Sequence, residues 1–263
     1  MSLPAFFDLS GRTVVVTGAA SGLGLAIAEA MLQAGARTVM TDVDADALAT
    51  EHRRLQAAHP LAESAVLDVT APGAVDALID DVAARHGALD CVFANAGISA
   101  GRGFMVDTGR LENLDMANWD RVLRINLDSV LVTVRAAARH MKPRGQGRIV
   151  VTSSIAGLRS EALSGYAYVA SKAAVNNLVR QAAMELAPFN VLVNAIAPGP
   201  FATGINGGRL RLPESVERMR TYIPLGRVAD PREIQGLALL LASPASSYMT
   251  GAIIPVDGGA SAR

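Results

Sequence analysis

The apolar positions of this 263-residue chain fall into short dense runs that alternate with longer, periodically interrupted ones. The dense runs lie at 12–17, 37–41, 62–67, 89–94, 147–151, 191–196 and 252–256, with few polar residues among them. Their length and their Val, Ile and Thr content suit strands buried on both faces. The interrupted runs at 25–33, 46–58, 74–85, 116–141, 168–187 and 231–241 repeat apolar residues at helical spacing. Gly35 and Gly87 are placed to close two of these helices, and Pro231 to open another. Strands that alternate with helices predict an α/β chain, doubly wound, with about seven parallel strands and helices on both faces. Two stretches break the rhythm. The segment 98–114 is irregular and Gly-rich, and 200–222 has weak periodicity, which suits a mobile substrate flap.

Composition narrows this picture. Apolar residues make up 51% of the chain, enough for a sizeable core. No linker, repeat or low-complexity tract divides it, so one domain over 1–263 is expected. Lys and Arg total 24 and Asp and Glu total 24, for zero net charge. That balance gives no basic stripe for nucleic acid. The single cysteine, Cys91, excludes an internal disulfide framework and fits a reducing compartment. It lies in an apolar run, as a buried, inert thiol would. The stretch 1–10 lacks a basic, apolar secretory pattern, and no apolar run is long enough to span a membrane. A soluble, cytoplasmic protein is expected.

The chemistry-bearing residues collect at the carboxyl ends of the predicted strands, where sheets of this kind bind ligands. Gly18, Ser21, Gly22, Leu23 and Gly24 follow the first strand directly and lead into a helix. A strand, a Gly-rich turn and a helix N-terminus together suit a dinucleotide pyrophosphate. No Gly-Lys-Ser/Thr follows, which excludes a Walker-type loop. Asp42 ends the second strand, placed to accept hydrogen bonds from ribose hydroxyls and to repel a 2′-phosphate. With no Arg or Lys in the glycine turn, NAD is favoured over NADP. Asp42 also has a plainer reading as a turn or cap residue. Asp68, before Val69, has two readings of equal weight, an adenine contact or a cap for the helix near Pro72. Asn95-Ala96-Gly97 makes a small-residue corner after the fourth strand. Asn126 is an odd residue in the middle of an apolar helix. Hydroxyls at Thr152, Ser153 and Ser154 follow the fifth strand. Tyr168 and Lys172 lie four residues apart and share a helix face, where the Lys charge would lower the Tyr pKa. Pro198 and Gly199 follow the sixth strand.

Taken together, these residues resemble the short-chain dehydrogenase/reductase family over nearly the whole chain. The matching pieces are Thr17-Gly18-x-x-x-Gly22-x-Gly24, Asn95-Ala96-Gly97, Asn126, Ser154, Tyr168-x-x-x-Lys172, and Pro198-Gly199 with Thr203. The resemblance implies a Rossmann-type fold, a nicotinamide cofactor and a small-molecule alcohol or ketone substrate. It implies Tyr168 as general acid/base, Ser154 on the substrate oxygen, and Lys172 on the Tyr168 pKa and the nicotinamide ribose. It also implies Asn126 holding a water beside Lys172, Thr203 at the carboxamide, and a homotetramer with 116–141 and 165–187 as dimer faces. Tyr166 and Ser153 compete with Tyr168 and Ser154. Only Tyr168 has Lys four residues on, and Ile155-Ala156-Gly157 follows Ser154 as the family's serine context would.

The substrate is less legible. Residues 200–206 are similar to the segment after Pro-Gly in sugar-acid dehydrogenases such as gluconate 5-dehydrogenases. Arg102, Arg159 and Arg209 are candidates to pair with a carboxylate. A 3-oxoacyl thioester and a cyclic or steroid-like alcohol stay open. Two other classes share parts of the pattern, a non-catalytic dinucleotide sensor and an S-adenosylmethionine methyltransferase. Neither needs the Tyr168–Lys172 pair.

Overall fold

The computed structural model describes residues 4–262, without the side chains of Asn206, Arg209, Arg211 and Arg218. Seven strands form one sheet: β1 (Thr13–Thr17), β2 (Arg37–Asp42), β3 (Ala62–Val66), β4 (Cys91–Ala94), β5 (Gly147–Thr152), β6 (Val191–Pro198) and β7 (Ile253–Val256). Their order is β3-β2-β1-β4-β5-β6-β7, and every neighbouring pair is parallel. The order reverses between β1 and β4, which opens a crevice at the strands' carboxyl ends.

The buried strands read as dense apolar runs because helices cover both faces. Side chains alternate across the sheet. Val14 and Val16 join one core with α1 (Gly22–Gln33) and α8 (Gln235–Ala242). Val15 joins the other, with α3 (Ala74–His86), α5 (Ser129–Arg144) and α6 (Tyr166–Leu186). Helix α2 (Ala45–Gln56) packs on β2 and the edge strand β3. Asp44 caps it by accepting from the Ala47 N–H at 3.0 Å.

Four expectations change. The predicted single helix over 116–141 is two helices, α4 (Met116–Leu123) and α5, joined by a π-turn at Arg124–Asp128 that carries Asn126. Apolar periodicity cannot report one widened turn. The helix expected at 231–241 begins as a 3₁₀ turn, Pro231–Ile234, before α8. The segment 200–222 contains a 3₁₀ turn (Ile205–Arg211) and a short helix, α7 (Pro213–Arg220). Asp68 does not cap α3. Its carboxylate closes a local turn onto Thr70, and Gly73, in the left-handed region at φ 75°, occupies the cap. No helix of the described residues is long and apolar enough to cross a membrane.

Candidate active site

A crevice of about 860 Å³ runs along the carboxyl ends of β1, β2, β4, β5 and β6. Of the catalytic and cofactor residues expected from the sequence, all but Asn126 line it. Three groups build its walls.

The glycine turn is the first. A Cβ on Gly24 would stand 2.0 Å from the Gly18 carbonyl oxygen, and one on Gly18 2.9 Å from the Ala96 Cα. Gly18 and Gly22 adopt positive φ, 68° and 57°, which L side chains rarely do. Ser21 precedes α1 without a side-chain capping bond, so its side chain leaves the first-turn N–H groups uncapped. A close backbone turn facing a helix N-terminus fits a pyrophosphate. Asp42 reaches across to this turn. Its Oδ2 accepts from the Ala20 N–H at 3.0 Å and its Oδ1 from the Asp44 N–H at 3.1 Å. The turn reading of Asp42 is therefore what its bonds show, and the same side chain also lines the crevice.

The second group is the Asn95 junction. Asn95 Nδ2 donates to the carbonyls of Thr17 (2.9 Å) and Gly18 (3.1 Å), and its Oδ1 accepts from the Thr152 hydroxyl at 2.9 Å. The Thr17 hydroxyl in turn accepts from the Asn95 and Ala96 N–H groups. One side chain thus ties the ends of β1, β4 and β5. The sequence places Thr17 and Thr152 at strand ends without pointing to this junction. Their signal was a hydroxyl as the last residue of a buried strand.

The third group is the seam between β5 and α6. Ser154 and Tyr168 meet here, with Lys172 one turn beyond. Lys172 Nζ donates to the Thr152 carbonyl at 2.7 Å and lies 5.8 Å from the Tyr168 ring centre. Ser154 Oγ accepts from the Ala156 N–H at 3.1 Å. Ser153 turns away toward Asn176, and Tyr166 is exposed at the helix start, so the geometry separates both pairs of competitors.

The electrostatics of this seam correct one expectation. The Tyr168 ring lies deep in the crevice and opens only partly to it. Burial pushes its pKa up, and the Ser154 hydrogen bond draws it down by less. Burial also lowers Lys172 to about 8. Desolvation acts on both groups and outweighs the simple attraction read from their spacing.

Asn126 is fully buried behind the crevice wall. Its amide spans the Ile98 backbone, accepting from the N–H and donating to the carbonyl, each at 2.8 Å. A Cβ on Gly97 would lie 3.3 Å from Asn126 Oδ1 and 3.7 Å from Lys172 Nζ. The Asn126 side chain therefore fixes the Ile98 segment directly, a role its sequence context did not reveal.

Thr203 and Phe201 bring the 200–222 segment onto the crevice. The Thr203 side chain packs 3.4 Å from where a Gly22 Cβ would be. Arg102 is exposed and Arg159 pairs with Glu161 at 4.0 Å, and neither lines the crevice. The Arg209 side chain lies outside the described residues. Arg121 and Asn118 of α4, which sequence reasoning passed over, do line it. Among the described residues no cluster of His, Cys, Asp and Glu could hold a metal ion.

Comparison with known proteins gives this site its class. A family model described as enoyl-(acyl carrier protein) reductase matches residues 18–261. The chain belongs to the short-chain dehydrogenase/reductase family and is an oxidoreductase of that family. It is 42% identical to the cis-4-hydroxycyclohexanecarboxylate dehydrogenase of Sinomonas cyclohexanicum, over 94% of this chain and 96% of that protein. It is 36% identical to the gluconate 5-dehydrogenase of Gluconobacter oxydans, over 98% of each chain. A crystal structure of a gluconate 5-dehydrogenase from Burkholderia cenocepacia, in complex with NADP and tartrate, superposes with a TM-score of 0.89 at 33% identity, covering 98% of each chain.

Proposed function

We propose that the protein is an NAD-dependent dehydrogenase that interconverts a secondary alcohol and a ketone, with Tyr168 as general acid/base. The observation that carries this reading is the seam itself, where Ser154, Tyr168 and Lys172 line the same crevice as the glycine turn and Asp42. The nicotinamide, when bound, supplies the hydride chemistry. Tyr168 takes the hydroxyl proton in oxidation and returns it in reduction. Ser154 donates to the substrate oxygen and, with the phenol, stabilises charge that develops there. Lys172, anchored on the Thr152 carbonyl, supplies positive charge near the phenol and a donor toward the cofactor ribose. Asn126 keeps the Ile98 segment and Gly97 in place beside Lys172. Gly18, Ser21, Gly22, Leu23 and Gly24 cradle the pyrophosphate. Asp68, Val69, Asn95, Ala96 and Gly97 border the adenosine, and Pro198, Gly199 and Thr203 the carboxamide.

Asp42 supports NAD, since its carboxylate would repel a 2′-phosphate and no Arg or Lys lies in the turn. A cyclic alcohol or a sugar acid is the substrate class, supported by the kinship to both kinds of dehydrogenase. The residues 1–263 act as one catalytic domain with 200–222 as the substrate flap. We also propose a cytoplasmic homotetramer. The exposed Leu131 on α5 and Met184 on α6 support self-association, and the buried thiol of Cys91 is compatible with a reducing compartment. The deciding experiment is absorbance at 340 nm over a panel of cyclic alcohols, polyols and sugar acids, with NAD and NADP compared. Reduction of NAD by at least one secondary alcohol is expected. Silence across the panel with both cofactors would refute the activity, and a strong NADP preference would refute the Asp42 assignment.

A further inference from the structure

Asn176 lies one helical turn beyond Lys172 on α6, is almost fully buried, and does not line the crevice. Its neighbours in the helix, Val175 and Val179, belong to the apolar core. A polar side chain there needs partners, and it has two. Asn176 Oδ1 accepts from the Ser153 hydroxyl at 2.5 Å, and Asn176 Nδ2 donates to the Gly157 carbonyl at 2.9 Å. The Ser153 hydroxyl also lies 3.5 Å from the Lys172 carbonyl.

These bonds complete a zipper between the end of β5 and α6. Thr152 meets Lys172 through its carbonyl, Ser153 meets Asn176, and Ser154 meets Tyr168. Gly157 makes the fit close. A Cβ there would stand 2.5 Å from the Lys172 carbonyl oxygen and 2.8 Å from Asn176 Nδ2. The turn Ile155–Gly157 that follows Ser154 is therefore pressed onto α6, and Asn176 grips its last residue. That turn also holds the Ser154 hydroxyl, through the Ala156 N–H. Asn176 grips both sides of Ser154, at Ser153 and at Gly157.

We propose that Asn176 is a positioning residue that, with Ser153, sets where the Ser154 hydroxyl stands relative to the Tyr168 phenol. This deepens the dehydrogenase reading above and rests on it for its effect on turnover. Asn176 acts through Ser154 and touches neither substrate nor cofactor. Without its grip the Ile155–Gly157 turn can swing, and Ser154 loses its register on Tyr168. The Ser154 hydrogen bond is what draws the phenol's pKa down against burial. Its loss therefore moves the Tyr168 titration to higher pH, as a purely architectural contact would not.

The test uses the whole protein with its four tyrosines labelled at Cζ with ¹³C, Tyr168 being assigned by its disappearance in Tyr168→Phe. Asn176→Ala and the gentler Ser153→Ala are each compared with wild type. Both variants should shift the Tyr168 titration upward by about half a unit or more. Both should lower kcat in alcohol oxidation by about tenfold, the scale of a small misplacement at a reacting centre. KM for NAD should stay unchanged. The double variant should be no worse than the worse single one, because the two residues form one contact. A Tyr168 titration and a kcat that match wild type in both variants, whatever their melting temperatures, would overturn the proposal. The NMR titration needs no substrate. Should the wild-type protein oxidise no alcohol, the dehydrogenase reading fails, while the titration still decides whether Asn176 sets the Ser154–Tyr168 contact.

Discussion

The glycine turn and the β5–α6 seam face each other across one crevice, yet they are built differently. The turn is a backbone device, defined by side chains that are missing at Gly18, Gly22 and Gly24. Its one charged member, Asp42, sits at the rim with its oxygens on backbone N–H groups. The seam is a side-chain device. It buries a lysine, with a tyrosine beside it, in a setting that disfavours the charged form of each. A cradle of this kind is costly only when something is added to it. A seam of this kind carries an electrostatic cost while intact, as sites with shifted pKa values commonly do. The difference can be sharpened by substitutions that separate stability from activity.

Among substitutions that separate stability from activity, Lys172→Met gives the largest expected effect. Turnover should fall by on the order of 100-fold, since the charge beside the phenol is gone. Stability should move the other way. In the folded protein Lys172 titrates near 8, against 10.5 when unfolded. Below pH 8 the ammonium is charged in both states, and the folded state bears the full burial penalty, at most ~3 kcal/mol by linkage. Between about 8 and 10.5 the unfolded chain binds the extra proton, so wild-type stability rises with pH across that window. The variant should therefore be the more stable protein at pH 7, by ~1–3 kcal/mol less the lost bond to the Thr152 carbonyl. That advantage should shrink toward pH 10.5. Urea titrations of both proteins at pH 7 and pH 10 check this, and a difference that does not change with pH would contradict the buried-charge account.

A smaller effect is expected on the opposite wall. Asp42→Ala removes a carboxylate that bonds the Ala20 and Asp44 N–H groups and faces the crevice. Preference for NAD over NADP, measured as the ratio of kcat/KM, should drop about tenfold, the scale of one lost charged hydrogen bond. The Tyr168 pH limb should not move. Unchanged discrimination would remove Asp42 from the ribose site, and a shifted limb would mean that the two walls are not separable.

The backbone wall was the more legible in the sequence, for a physical reason. Glycines in a strand–turn–helix context and an acidic strand end announce what they do, because few other residues tolerate those positions. The sheet was legible too, since buried parallel strands read as dense apolar runs. The seam was legible only in part. Tyr168, Lys172 and Ser154 stood out as chemistry. The supporting roles of Thr152, Ser153 and Asn176 were not legible, because they act through contacts between residues far apart in the chain. The π-turn around Asn126 was invisible for a similar reason, since it alters one turn without altering the apolar pattern. Spacing alone points the Tyr168 shift the wrong way, because it reports a neighbouring charge and says nothing of desolvation.

The central claim is that Tyr168 exchanges the proton in an oxidation that the glycine-turn wall supports without it. The direct measurement is turnover and NADH affinity of Tyr168→Phe, beside wild type, on the best alcohol of the panel. Turnover at least about 100-fold lower is expected, with NADH bound within about fivefold of wild type, since one hydroxyl is lost from the crevice and the glycine-turn wall is untouched. Wild-type turnover in Tyr168→Phe would contradict the account.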